Sequence, residues 1–310
     1  MEPNDTGMRD CVVVGGGAAG TSAALTLARA RHEVLVVDAG QQSNLAATGI
    51  RSLVGHDGQA PADYYAAARS ELLAYPSADF HRGTVTQGVR EEDGGFSFVL
   101  DDGRSERART VVLAPGVEYR HPELPGMAER WGRSMFHCPF CHGWEVRDQP
   151  LGVLATGAEG VRGSLNLRAW TDRVTLLTNG GELTDDQRDE LAAGGVDVDE
   201  RSISGFDGPG AELKAAVFTD GAELPIAGLL VKTQLRQRSS LAGDLGASLT
   251  EPDERLSVEA IRVDPMGSTG IPGLYAAGDA ATSVPPSMAA ALASGYLAGG
   301  SAAVHLATGY

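Results

Sequence analysis

Apolar residues gather in short runs along this chain, at 11–14, 33–38, 109–114, 151–155, 173–177, 228–232 and 273–277. Such runs, with little polar alternation, suit strands covered on both faces. Several are separated by helix-like segments such as 18–31 and 160–170. Strand and helix in alternation predict parallel sheets with helices packed on them. Residues 79–114 break the pattern, and two short extended pieces around Asp101-Asp102-Gly103 predict a small antiparallel hairpin layer.

A strand–turn–helix unit begins near Val12 and a second at Leu151, the only internal echo in the sequence. The expected fold class is therefore α/β, with two Rossmann-like dinucleotide-binding domains, the second inserted into the first. Residues 1–115 and 243–310 would form the first domain and 116–242 the second. The junctions are expected at Pro115-Gly116 and in the polar stretch from Gln234 to Ala242.

With 310 residues the chain is long enough for two ordinary cores. Its net charge of -16 disfavours nucleic acid and anionic membrane, which both reward clustered Lys and Arg. The segment MEPNDTGMRD lacks the basic and apolar regions of a signal peptide. The most apolar stretch, 285–304, is built of Ala, Gly and Ser and opens with Pro285-Pro286. It reads as a helix packed through small residues, not a membrane span. Three cysteines in such a chain fit cytoplasmic redox chemistry better than a disulfide scaffold. Cys11, inside the first apolar run, is expected to be an inert packed thiol.

Two motifs carry the chemistry. In Val14-Gly15-Gly16-Gly17-Ala18-Ala19-Gly20 a strand runs into a G-x-G-x-x-G turn and then an Ala/Leu-rich helix. Gly15 permits the tight turn, Gly17 lets a pyrophosphate approach the backbone, and Gly20 lets helix pack on strand. Asp38 follows Gly20 by eighteen residues, where a carboxylate accepts from ribose hydroxyls. The second motif is His137-Cys138-Pro139-Phe140-Cys141-His142-Gly143. Its C-x-x-C spacing allows a dithiol–disulfide cycle without large backbone movement, and Pro139 suits the first turn of a helix that would lower a thiol pKa. Zinc on His137, Cys138, Cys141 and His142 is disfavoured: adjacent ligands are sterically awkward, and no second C-x-x-C exists.

The order and spacing of these elements resemble low-molecular-weight thioredoxin reductases over nearly the whole chain. Gly278-Asp279, before an Ala-rich segment, resembles that family's second FAD motif, and Ala114-Pro115-Gly116 its A-T-G strand end. The resemblance implies FAD as cofactor, held by Gly15, Gly17, Ala18, Ala19, Gly20, Asp38, Ala114, Gly116, Gly278 and Asp279, and a homodimer. It also makes Cys138 the interchange thiol and Cys141 the sulfur against the flavin.

The departures are specific. His142 stands where those reductases carry an acidic residue, and imidazole can accept a proton from an incoming thiol near neutrality. In the second domain Ala155 replaces the first glycine, and Thr178-Asn179-Gly180 replaces the basic cluster that reads NADPH. Thr233-Gln234-Leu235-Arg236-Gln237-Arg238 replaces a Gly-x-x-Pro element. The segment Cys138 to Asp148 is similar to an offshoot, the dithiol oxidases that close holomycin-, gliotoxin- and romidepsin-type disulfides. That resemblance implies a flavin-dependent oxidase acting on a small-molecule dithiol, passing electrons to oxygen, with catalytic Cys138, Cys141 and His142. A reductase fed by NAD(P)H or ferredoxin is the alternative.

Overall fold

The computed structural model describes residues 7–252, 259–281 and 286–309. All seven apolar runs become strands, and the chain divides into two compact units. The first unit comprises residues 1–45, 62–119 and 235–310, and the second 46–61 and 120–234.

In the first unit the strand Arg9–Val14 lies between Val34–Asp38 and Ser105–Leu113, parallel to both. Ala78–Arg82 extends the sheet beyond Val34–Asp38, and Leu274–Ala276 pairs with Ser105–Leu113. The expected hairpin around Asp101-Asp102-Gly103 is present, but it is not a separate layer. Ser105–Leu113 pairs antiparallel with Phe96–Leu100 through its first residues and parallel with Arg9–Val14 through its last. One nine-residue strand thus serves both patterns, because its burial changes from alternating to continuous at Thr110.

The helix Ala18–Arg29 and the C-terminal helix Met288–Thr308 pack together through small residues. A Cβ added at Gly295 would lie 2.1 Å from the Ala19 carbonyl oxygen, and one at Gly299 2.6 Å from that of Ala23. The Ala/Gly/Ser composition of the apolar stretch is therefore what lets two backbones touch. No helix among the described residues is long and apolar enough to cross a membrane; Pro285, at the expected start of the stretch, lies outside them.

In the second unit five strands form a parallel sheet in which Leu151–Leu154 lies between Val174–Leu177 and Gly228–Val231. Met135–Phe136 and Asp197–Asp199 are its edges. Helix Gly157–Leu167 packs on this sheet, burying Val161, Ser164 and Leu167.

The division between units falls at Tyr119/Arg120, a few residues after the expected Pro115-Gly116, and at Gln234/Leu235, at the start of the polar stretch Gln234 to Ala242 and ahead of the expected bound 242/243. Val117–Arg120 and Gln234–Gln237 pair with each other, which sets the first crossing after the expected break and the second before residue 242. Leu241, Ala242 and Leu245 belong to the first unit's core. Residues 46–61 go with the second unit, an assignment for which their polar, aperiodic sequence offers no signal.

Candidate active site: a dinucleotide cradle and a redox disulfide

The first unit carries all ten residues expected to hold a dinucleotide. Gly15, at φ +102°, runs so close to the next strand that an added Cβ would lie 2.2 Å from the Ala114 carbonyl oxygen. At Gly20 a Cβ would lie 1.8 Å from the oxygen of Gly15, so only glycine lets the helix meet the turn. Asp38 is buried and accepts from the Gly16 N–H at 3.0 Å and from Gln42 Nε2 at 3.1 Å. Arg82 lies 3.7 Å from the same carboxylate.

The late motif reaches this cradle. Gly278, at φ +73°, sits where a Cβ would lie 2.9 Å from that of Ala19. Its N–H donates to Ser294 Oγ at 3.0 Å, and the Ala277 N–H donates to the Leu113 carbonyl. Asp279 accepts from the Tyr119 hydroxyl at 3.1 Å. Burial raises the Asp279 pKa above the ordinary carboxylate value, against the opposing pull of Tyr119 and Arg238. Tyr119 was not foreseen, since nothing local in sequence distinguishes it. Gly116 has a φ of +66°, with Arg238 Nε nearest to its Cβ position at 4.0 Å.

These residues fit FAD. Helix Ala18–Arg29 has no side-chain N-cap and no acidic residue in its first turn, leaving its N-terminal N–H groups for an anion. Gly17 has open space beside it, the nearest atom to an added Cβ being Gln42 Cγ at 3.7 Å.

The second unit carries the cysteines. Cys138 and Cys141 are joined as a disulfide across the start of the one-turn helix Pro139–His142, for which Cys138 is the N-cap and Pro139 the first residue. A helix this short supplies only one turn's dipole, less than the sequence suggested. Gly143 closes it under Trp170, whose ring would lie 2.9 Å from an added Cβ. Phe140 and Trp144 are 67% and 65% exposed, so the disulfide is flanked by two open aromatic rings.

His142 is fixed on both faces. Its Nε2 lies 3.1 Å from the Gly132 carbonyl oxygen, and its ring stacks on Phe136 at 5.3 Å and 8°. A carbonyl only accepts, so Nε2 carries the proton in that bond and Nδ1 keeps its lone pair. Nδ1 is buried without a hydrogen-bond partner. Burial is the main influence on this imidazole and lowers its pKa, opposed by the backbone of Gly132, the charge of Glu145 and the backbone of Cys138. His137 is pushed down to about 4, by burial first and by neighbouring His142 second.

Cys141 and His142 also border a cavity of about 630 Å³ within the second unit. Leu213 and Ile226 give it apolar wall, and Arg51, Glu145, Glu212 and Lys214 its charges. Arg51 is paired with Glu145 at 2.8 Å, and Lys214 with Glu212. Cys138 is not part of this lining; the cavity meets the pair from the Cys141 side.

A dinucleotide cradle of this kind together with a C-x-x-C disulfide defines a flavin-dependent disulfide oxidoreductase. The chain belongs to the pyridine nucleotide-disulphide oxidoreductase family, whose profile matches residues 9–295. It is 34% identical to thioredoxin reductase tcpT of Claviceps purpurea (strain 20.1) over 284 residues, 87% of this chain and 86% of that protein. The crystal structure of an oxidoreductase from Agrobacterium tumefaciens superposes with a TM-score of 0.90 at 36% identity, covering 97% of this chain and 99% of that one. The crystal structure of HlmI gives 0.90 at 34% identity, covering 98% and 94%. The thioredoxin-reductase-like fold and FAD as cofactor, both expected from sequence, are thereby shown.

Proposed function

We propose that this protein is a flavin-dependent dithiol oxidase that closes an intramolecular disulfide in a small natural-product dithiol, with dioxygen as final acceptor. The observation that carries the proposal is the Cys138–Cys141 disulfide followed directly by His142, whose Nδ1 is buried and unpartnered. His142 takes the proton from a substrate thiol. The resulting thiolate attacks Cys138 Sγ, breaking the Cys138–Cys141 bond and leaving Cys141 as thiolate. The second substrate thiol, once deprotonated, attacks the substrate sulfur of that mixed disulfide, expelling Cys138 and releasing a cyclic disulfide. Bound FAD supplies the two-electron acceptor that restores the enzyme disulfide and the route by which those electrons reach dioxygen, giving hydrogen peroxide. The protein acts in the cytoplasm as a homodimer.

The test is oxygen uptake and peroxide release with dithiothreitol as substrate. Equal turnover with and without oxygen, no other acceptor being added, would overturn the oxidase. The names of the relatives favour a second reading, a disulfide reductase fed by NAD(P)H or ferredoxin. Rapid anaerobic bleaching of the flavin by a nicotinamide nucleotide would support that reading instead.

A further inference from the structure

The two strand–turn–helix cradles share one register, so each position of the second has a counterpart in the first. Val14 pairs with Val37 and Leu113; Leu154 pairs with Leu177 and Val231. Alignment on these ladders sets Gly17 against Gly157, Gly20 against Gly160, and Asp38 against Thr178. It also sets Ala19 against Glu159 and Ala114 against Lys232.

The second cradle keeps the strand register and two of the glycines of the first. Gly157 has a φ of +56° where its counterpart Gly17 has -75°, with nothing within 4 Å of an added Cβ. Gly160 packs on the sheet, its Cβ position 3.0 Å from Leu176 Cδ1. The side chains differ as well. Helix Ala18–Arg29 has no acid in its first turn, whereas helix Gly157–Leu167 has Glu159. One carboxylate oxygen of Glu159 is 3.1 Å from Lys232 Nζ, and the other 2.7 Å from Arg162 Nη2. A carboxylate in the first helical turn answers the dipole that would otherwise favour a phosphate. Thr178, in the place of the ribose-binding carboxylate, is buried with its hydroxyl unpartnered. Arg188, near the same sheet edge, is held by both oxygens of Glu200 at 2.7 and 2.8 Å.

We propose that Glu159 closes the second cradle to pyridine dinucleotides. Its carboxylate supplies the negative charge that the helix N-terminus and Lys232 would otherwise take from a pyrophosphate, and a second anion arriving there meets repulsion. The residues of this unit therefore do not fit the nucleotide after which the family is named, although the fold that would bind it persists. This inference stands apart from the oxidase reading, which oxygen uptake tests separately.

The experiment is calorimetric titration of the FAD-loaded full chain with ADP-ribose, which carries the pyrophosphate and adenosine but exchanges no electrons. Wild type is expected to show no saturable binding up to about 1 mM. Glu159→Ala and Glu159→Gln should each bind at least about tenfold more tightly. A second change, Lys232→Ala, should remove the gain. Low-micromolar binding by wild type would overturn the proposal, as would two single variants as silent as wild type. A gain that survives Lys232→Ala would overturn the part given to that lysine.

Discussion

Replacing His142 with alanine removes the one imidazole that adjoins the disulfide in chain and borders the cavity. Its Nε2 is committed to the Gly132 carbonyl, so the function lost is that of Nδ1. Loss of a positioned general base costs on the order of 100- to 10,000-fold in rate, or about 3 to 5 kcal/mol of barrier. The full effect should be visible at neutral pH. Burial lowers the imidazole pKa, so the ring is in its proton-accepting form throughout the neutral range. For the same reason the acid limb of kcat/KM in wild type should fall below about pH 6.5, the value for a free imidazole. In His142→Ala the rate should instead rise about tenfold per pH unit until the substrate thiol ionises near its own pKa of about 8.5. Steady-state oxygen uptake with dithiothreitol, at matched flavin content, measures both profiles. Near-wild-type turnover by the variant at pH 7, or a wild-type acid limb above the free-imidazole value, would refute the role. If His137→Ala alone loses the activity, the base is the other histidine.

The cysteines should separate in trapping experiments with a linear disulfide such as oxidised glutathione, whose S–S bond supplies the oxidising equivalents: Cys141→Ser should form a mixed disulfide on Cys138 with release of one glutathione, and mass spectrometry finding the adduct only on Cys141 in Cys138→Ser would reverse the assignment. Gly20→Ala places a Cβ 1.8 Å from the Gly15 oxygen, so the purified variant should be nearly colourless; a normal ratio of flavin to protein absorbance would contradict the geometry of the cradle. His137 has a folded pKa of about 4 against 6.5 unfolded, so the unfolded chain binds the proton first as pH falls. Stability from its neutral burial is complete above pH 6.5 and lost towards pH 4, by about 3 kcal/mol at most. His137→Gln should flatten the acid slope of the urea midpoint, and an unchanged slope would exclude His137 as its source.

Local pattern revealed the strands and the glycine cradle because both rest on contacts within a few residues. Val12 to Val14 must be apolar to lie in a covered strand, and Gly20 must be glycine to pass Gly15. The double role of Ser105–Leu113 was hidden, because its two sets of partners come from opposite directions along the chain. The placement of 46–61 had no local signature either, since Arg51 finds Glu145 only through folding. The pairing of Glu159 with Lys232 spans 73 positions and shows only when the two cradles are laid in register.

The contact of Met288–Thr308 with Ala18–Arg29 bears on how the protein is made. The helix that begins the phosphate turn leaves the ribosome long before the surface against which it closes. Strand Leu274–Ala276 and Gly295 must both arrive before Ala19 has its neighbours. Residues 120–234, by contrast, carry every strand of the second unit's parallel sheet. During synthesis the cysteine-bearing sheet can therefore assemble well before the flavin can be held. A nascent chain then exposes thiols with no bound oxidant to cycle them, and redox turnover begins only once Met288–Thr308 has been made.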